Sequence, residues 1–176
     1  DESVHLCAFN NDAAYVVDQV QSNKVYNLSA TVGMAEPLHS SSVGKCILAF
    51  RAPFAAVRLL KDYPLTAYTP KTITDMDILM EHLAIIRSQG YAVDDEEITL
   101  GVRCIAAPIY DYRGEVNYSL GVSGTTNNIK PAAMDRYLSA LLSASSQISS
   151  ALGYKCGRQR PEVQPPVPYG DSGREE

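Results

Sequence analysis

Positive charge is scarce in this chain. Fifteen Lys and Arg stand against 20 Asp and Glu, for a formal net charge of −5. An acidic chain repels phosphate, which argues against a nucleic-acid-binding basic face here. No cysteine lies in a CxxC pair and no Cys/His group has zinc-finger spacing, so a structural zinc site is not expected. No apolar run approaches the ~20 residues of a membrane-spanning helix. No GxSxG elbow and no HExxH or HxxEH motif is present, so the usual serine-hydrolase and zinc-protease signatures are missing. The only histidines are His5, His39 and His82. There are no internal repeats. The acidic opening Asp1-Glu2-Ser3 is not a signal peptide, and a strand pattern begins almost directly after it, as expected at a domain boundary.

What is present suits one soluble domain. The chain has 176 residues, 45% hydrophobic and 20% charged, enough to bury a core without disulfides or a structural metal. Cys7, Cys46, Cys104 and Cys156 are the cysteines. Three sit in apolar surroundings and read as buried, reduced thiols of a cytoplasmic protein.

Val4 to Phe9 and Ala14 to Val20 flank the turn Asn10-Asn11-Asp12 and predict a β-hairpin. A short strand is expected near Val25 to Leu28, and a loop from Val32 to His39. Ser40, Ser41 or Ser42 caps a helix running through Gly44 to about Phe50. Pro53 opens a second helix ending near Tyr63-Pro64. Thr74 or Asp75 caps a third, with Met76, Leu79, Leu83 and Ile86 on one face and Gly90 as its stop. Strands are expected at Tyr91 to Asp94, Arg103 to Asp111 and Val116 to Gly124, with Pro108 marking an edge or bulge. Asp95, Glu96 and Glu97 read as a solvated acidic turn. Pro131 opens the last helix, with Met134, Leu138, Leu141, Ile148 and Leu152 on its apolar face. Residues 156–176 form a Pro-, Arg- and Glu-rich tail expected to be disordered. Strands, helices, strands, helix is an α+β order with a mainly antiparallel sheet and a concavity between one sheet face and its helices.

Two stretches carry a resemblance. The first is Pro37-Leu38-His39-Ser40-Ser41-Ser42-Val43-Gly44-Lys45-Cys46. The second is Gly90-Tyr91-Ala92-Val93-Asp94-Asp95-Glu96-Glu97, continued by Gly101-Val102-Arg103-Cys104-Ile105-Ala106-Ala107-Pro108. With Gly121-Val122-Ser123-Gly124 and Ala151-Leu152-Gly153-Tyr154, they resemble the effector-binding domain of IclR-type transcriptional regulators. The resemblance implies a GAF-like fold with a small-molecule pocket over residues 1–155. It also implies an oligomer, a homodimer or homotetramer. DNA binding would belong to a winged helix-turn-helix domain that is absent from this chain, and operator DNA would be reached through that domain alone.

Several residues could line the pocket. Helix-start amides around Ser42 and Val43 would favour a carboxylate or phosphate oxygen, although capping and a close-packed glycine explain the same residues. Resemblance places their backbone against the effector. It also turns Asp94 into the pocket, where the residue alone would read as a turn or surface charge, and makes Cys104 a pocket thiol. Gly121 and Ser123 share a strand face. Relatives that bind small oxo-acids tend to have serine at both positions, so Gly121 removes one hydroxyl and makes room for a larger ligand. Leu28 and Val102 match apolar pocket positions but could equally be core. Glu36 falls where relatives often have an apolar side chain at the pocket mouth; it is expected to be exposed on its loop, and facing inward it would favour a ligand with a hydroxyl or amine. Some of Tyr110, Tyr112 and Tyr118 should pack an outer face or a subunit contact.

The leading reading is a sensor of a small organic molecule, a small carboxylate by resemblance, with no cofactor and no metal. One alternative is a small enzyme using a serine or Cys104, with His39 as the best candidate base for the thiol. The other is a dimerisation module with a vestigial pocket.

Overall fold

The computed structural model describes residues 2–24 and 30–155. The strand expected near Val25 to Leu28, the pocket role of Leu28 and the tail 156–176 lie outside the described residues. Among the described residues six strands, β1 (Ser3–Asn10), β2 (Ala13–Val20), β3 (Ala35–Glu36), β4 (Ala92–Asp95), β5 (Val102–Tyr110) and β6 (Val116–Thr125), form one sheet. The helices are α1 (Ser42–Ala49), α2 (Pro53–Leu60), α3 (Met76–Gln89) and α4 (Pro131–Ala151). The strand order is β3-β2-β1-β6-β5-β4, and every pairing is antiparallel. The curled antiparallel sheet with flanking helices is the α+β, GAF-like arrangement expected.

Local signals account for most boundaries. Asn11 takes a left-handed φ of 58° in the β1–β2 turn, a region Asn tolerates. Ser41 caps α1: its Oγ accepts from the Gly44 N–H at 2.9 Å and donates to the Pro37 carbonyl at 2.7 Å. Asp75 caps α3 by accepting from the Asp77 and Ile78 N–H groups at 2.9 and 3.0 Å. Gly90, at φ 87°, ends that helix.

The two sheet faces have different coverings. One face carries Cys7, Ala14, Val16, Ala92 and Ala106, packed with α1 and α3 into one core. The other carries Ile105, Ala107, Ile109, Leu120 and Val122 under Leu138 and Leu141 of α4. Every residue of α1 is buried, so this short helix is an interior element.

Two expectations change. The Val32–His39 segment is not all loop, because Ala35 and Glu36 pair with Tyr15 and Ala14 as β3. The α4 face also differs: Leu152 is 43% exposed, whereas Ser145 and Ser149 are buried. Those serines face a sheet margin. β4 pairs with β5 only as far as Ala106. Beyond it, the Ser145 hydroxyl donates to the Pro108 carbonyl, and the Tyr110 N–H donates to Ser149 Oγ at 3.0 Å. Pro108 thus falls on a strand margin, where its missing N–H removes no ladder bond, and polar side chains of α4 replace the absent strand.

Gly44 marks the closest approach between α1 and the segment before it. A Cβ there would meet the Pro37 carbonyl oxygen at 2.5 Å and Leu38 Cα at 2.7 Å. Both are backbone atoms, so the helix would have to move. Gly44→Ala is expected to lower stability by about 2 kcal/mol through overpacking, read as a reduced urea midpoint at unchanged slope.

Candidate functional site

The antiparallel register brings distant residues into rows on the sheet face beneath α1. Asp94 pairs with Cys104 and Cys104 with Ser123. In the neighbouring row Ala106 pairs with Gly121 and Gly121 with His5. The first turn of α1 sits above them. Gly44 N–H is capped by Ser41 and Lys45 N–H bonds to the Ser41 carbonyl. The Ser42 and Val43 N–H groups have no acceptor among the described residues, as helix geometry dictates for a first turn.

Between sheet and helix lies a cavity of about 310 Å³. Ser42, Val43, Asp94, Val102, Cys104 and Ser123 line it, as do His5, Glu36 and Thr99. Gly121 does not form its wall. The space above it is taken by the His5 ring, whose Nε2 would lie 2.4 Å from a Cβ at that position. The expectation that Gly121 makes room for ligand is therefore corrected, since a histidine from β1 occupies that room.

Glu36 is also corrected. Its register partner Ala14 is fully buried on the cavity face, and register partners share a face, so Glu36 is half-buried against the cavity rather than out on a loop. Glu97 departs from the solvated turn too. Asp95 pairs with Arg103 at 2.7 Å and Glu96 pairs with Lys71, both partly exposed. Glu96 then adopts a left-handed φ of 64°, and the chain turns Glu97 inward. Glu97 is 6% exposed and forms an ion pair with Lys45, which is fully buried. Lys45 Nζ also donates to the Val93 carbonyl at 2.7 Å. The Thr69 and Thr72 hydroxyls fix the turn by donating to the carbonyls of Glu96 and Glu97, at 2.7 and 2.6 Å.

Burial sets the protonation of the site. It pushes the Asp94 carboxyl up to about 6, against the Glu97 N–H at 2.7 Å and the Lys45 charge, which favour its anion. It raises Glu97 to about 7, against the same Lys45. Glu36 is raised by burial and by the charge of Asp94. His5 is lowered to about 4 by burial and is neutral at pH 7. Its Nδ1 has no hydrogen-bond partner among the described residues. Burial pushes the Cys104 thiol up to about 12, the reverse of an activated nucleophile. His39 does not serve it. Its Nε2 donates to the Thr66 carbonyl at 2.9 Å, and its ring packs between Tyr63 and Tyr68, away from the cavity lining.

His5 and the Lys45–Glu97 pair escaped the reading of the sequence. The alternation of Ser3, His5 and Cys7 puts them on one strand face, but only the β1–β6 register shows which face that is. Lys45 was legible as a lone charge in an apolar helix.

A curled antiparallel sheet with a small cavity under a capped helix defines a GAF-like architecture. The family model for the bacterial transcriptional regulator IclR C-terminal domain matches residues 1–150, and the chain belongs to that family. It is 36% identical over 148 residues to the HTH-type transcriptional regulator BhcR of Paracoccus denitrificans, covering 84% of this chain and 53% of that protein. The chain thus spans about half the length of that curated relative. The crystal structure of the C-terminal domain of Escherichia coli KdgR superposes with a TM-score of 0.78 at 31% identity, covering 87% of this chain and 88% of that one. The inducer-binding domain of PobR from Acinetobacter, a double mutant in complex with 3-hydroxybenzoic acid, shares the fold at a TM-score of 0.76 and 24% identity, covering 84% and 87%. The curated relatives are named as transcriptional regulators or repressors, not enzymes. Among the described residues no helix is long and apolar enough to cross a membrane.

Two outcomes follow. Because Asp94 holds its proton more tightly folded than unfolded, it contributes stability below pH ~4 that is lost as pH rises through about 6. Asp94→Asn keeps the acceptor for Glu97 N–H but removes the charge. The stability difference between variant and wild type should therefore grow in the variant's favour from pH 4 to 7, by up to about 3 kcal/mol, measured by urea unfolding across pH. Site-resolved alkylation at pH 7.5 should label Cys104 far more slowly in the native domain than in urea; equal rates would contradict a buried thiol.

Proposed function

We propose that residues 1–155 are the effector-binding unit of a bacterial transcription regulator. A small organic acid occupies the cavity and controls DNA binding by a winged helix-turn-helix domain outside this chain. The carrying observation is the pairing of the two unfilled α1 amides, Ser42 and Val43, with the buried Asp94 around one cavity. The amides and the positive end of the helix suit a carboxylate. Asp94 suits a hydroxyl or other donor on the same molecule. Val102, Cys104 and Ser123 complete the contact surface, and Leu28 is proposed with them from the family resemblance. The ligand-bound PobR domain, alike in fold, is in keeping with this use of the cavity.

Control requires that the ligand bind one conformation or assembly better than another. We place the moving part in the segment from Val32 to Ser42, which joins the sheet to α1. The unit is also proposed to form a homodimer or homotetramer. Tyr15, Val17 and Val20 of β2, 37%, 45% and 69% exposed, offer apolar surface beyond the reach of α4.

A thermal-shift screen against hydroxy, oxo, amino, sugar and aromatic acids tests the reading. A ligand at 100 times its Kd adds about 2.7 kcal/mol, or about 5–10 °C for a domain of this size. Asp94→Ala should weaken the hit at least about tenfold. A flat screen would favour an oligomerisation module, and undiminished binding by the variant would remove Asp94 from the site.

A further inference from the structure

The cavity wall is acidic. Glu36 and Asp94 both face it, and among the described residues none of the 12 that line it is a lysine or arginine. Lys45, the buried cation behind the wall, is engaged by Glu97 and the Val93 carbonyl. His5 is neutral at pH 7 and offers no compensating charge. A simple oxo-acid or hydroxy-acid anion would bring no cation to a wall that already carries two carboxyl groups. The α1 amides can hold a carboxylate, but they leave Glu36 and Asp94 facing the rest of the ligand.

A second observation points to a ligand at the same wall. His5 is 5% exposed and lines the cavity, and its Nδ1 has no partner among the described residues. Buried polar atoms are rarely left unpaired, and a buried imidazole on a cavity wall with an enclosed, unpartnered Nδ1 needs only a ring turn to offer that nitrogen to a ligand. Glycine at position 121 leaves the ring its place: a Cβ there would meet His5 Nε2 at 2.4 Å, Cε1 at 2.6 Å and Val43 Cγ1 at 2.9 Å, so a side chain would have to shift. The two residues are opposite each other in register, His5 on β1 and Gly121 on β6. They act as a pair in which an imidazole stands where a side chain from β6 would otherwise reach.

We infer that the cavity takes a zwitterion, a small organic acid bearing an ammonium group. Its carboxylate sits at the α1 amides, its ammonium sits between Glu36 and Asp94, and His5 over Gly121 supplies a specificity-determining hydrogen bond. This rests on the reading of the cavity as an organic-acid site. It goes further by excluding the plain oxo-acids, whose lack of a cation leaves both carboxyl groups unanswered. An ammonium draws Glu36 and Asp94 to their charged forms and gives each a donor.

The test is calorimetric binding to matched sets that differ only at the second carbon: alanine, pyruvate and lactate; aspartate, oxaloacetate and malate; phenylalanine, phenylpyruvate and phenyllactate. In the set that binds, the amino member should bind at least about tenfold more tightly than its oxo and hydroxy counterparts. Glu36→Gln, nearly the same shape, should bring that ratio to within about threefold while leaving the melting temperature of the free domain within a few degrees. Gly121→Ser, which displaces the ring, should weaken the amino member selectively. Tighter binding of an oxo or hydroxy member, or an unchanged ratio in Glu36→Gln, overturns the inference and leaves the organic-acid site standing. Binding by no member of any set overturns both.

Discussion

The cavity depends on one buried ion pair. Lys45 is fully enclosed, and its ammonium reaches both the Glu97 carboxylate and the Val93 carbonyl. Burying two charges is expensive, and such a pair seldom stabilises more than apolar packing would. Its value here is positional. The pair ties the middle of α1 to the end of β4 and to the turn after it. That tie sets the first turn of α1, with the Ser42 and Val43 amides, at a fixed place relative to Asp94. Removing either partner alone would leave an uncompensated buried charge, so the geometry is held in a nearly all-or-none way.

Around that anchor the site is assembled from groups that are costly to leave as they are. Asp94 and Glu36 are raised by burial, His5 keeps a nitrogen without a partner, and two helix amides have no acceptor. A packed core would not retain so many. Polar groups at the wall of a small cavity are what a recognition site requires, because a ligand that satisfies them gains what the free protein lacks. The raised Cys104 thiol and the distant, engaged His39 argue against covalent chemistry at the same place.

Much of this was legible in the chain. Asn10-Asn11-Asp12, Ser41, Asp75, Gly90 and Pro131 are local signals whose physics acts within a few residues, and each marks a boundary where the structure has one. Period-two alternation placed Gly121 and Ser123 on one face. The resemblance put Ser42, Val43, Asp94, Val102, Cys104 and Ser123 at one cavity, and they do line it. What escaped was non-local. Glu36 faces inward because a two-residue strand pairs it with Ala14. Glu97 turns inward because Glu96 takes a left-handed conformation. The room above Gly121 is filled by a residue 116 positions away in sequence, brought there by the β1–β6 register.

The division follows from the range of the forces involved. Caps, turns and hydrophobic periodicity act over a few residues, so the sequence by itself determined the order of the longer elements, the antiparallel α+β class and the family. The contents of the cavity wall are a property of strand register and of one buried ion pair. Register is set by the whole sheet face at once, and a one-residue slip would turn His5, Cys104 and Ser123 to the other side. Only the tertiary structure decided that Glu36 and Asp94 share a cavity with a neutral His5, and hence that its polarity is acidic.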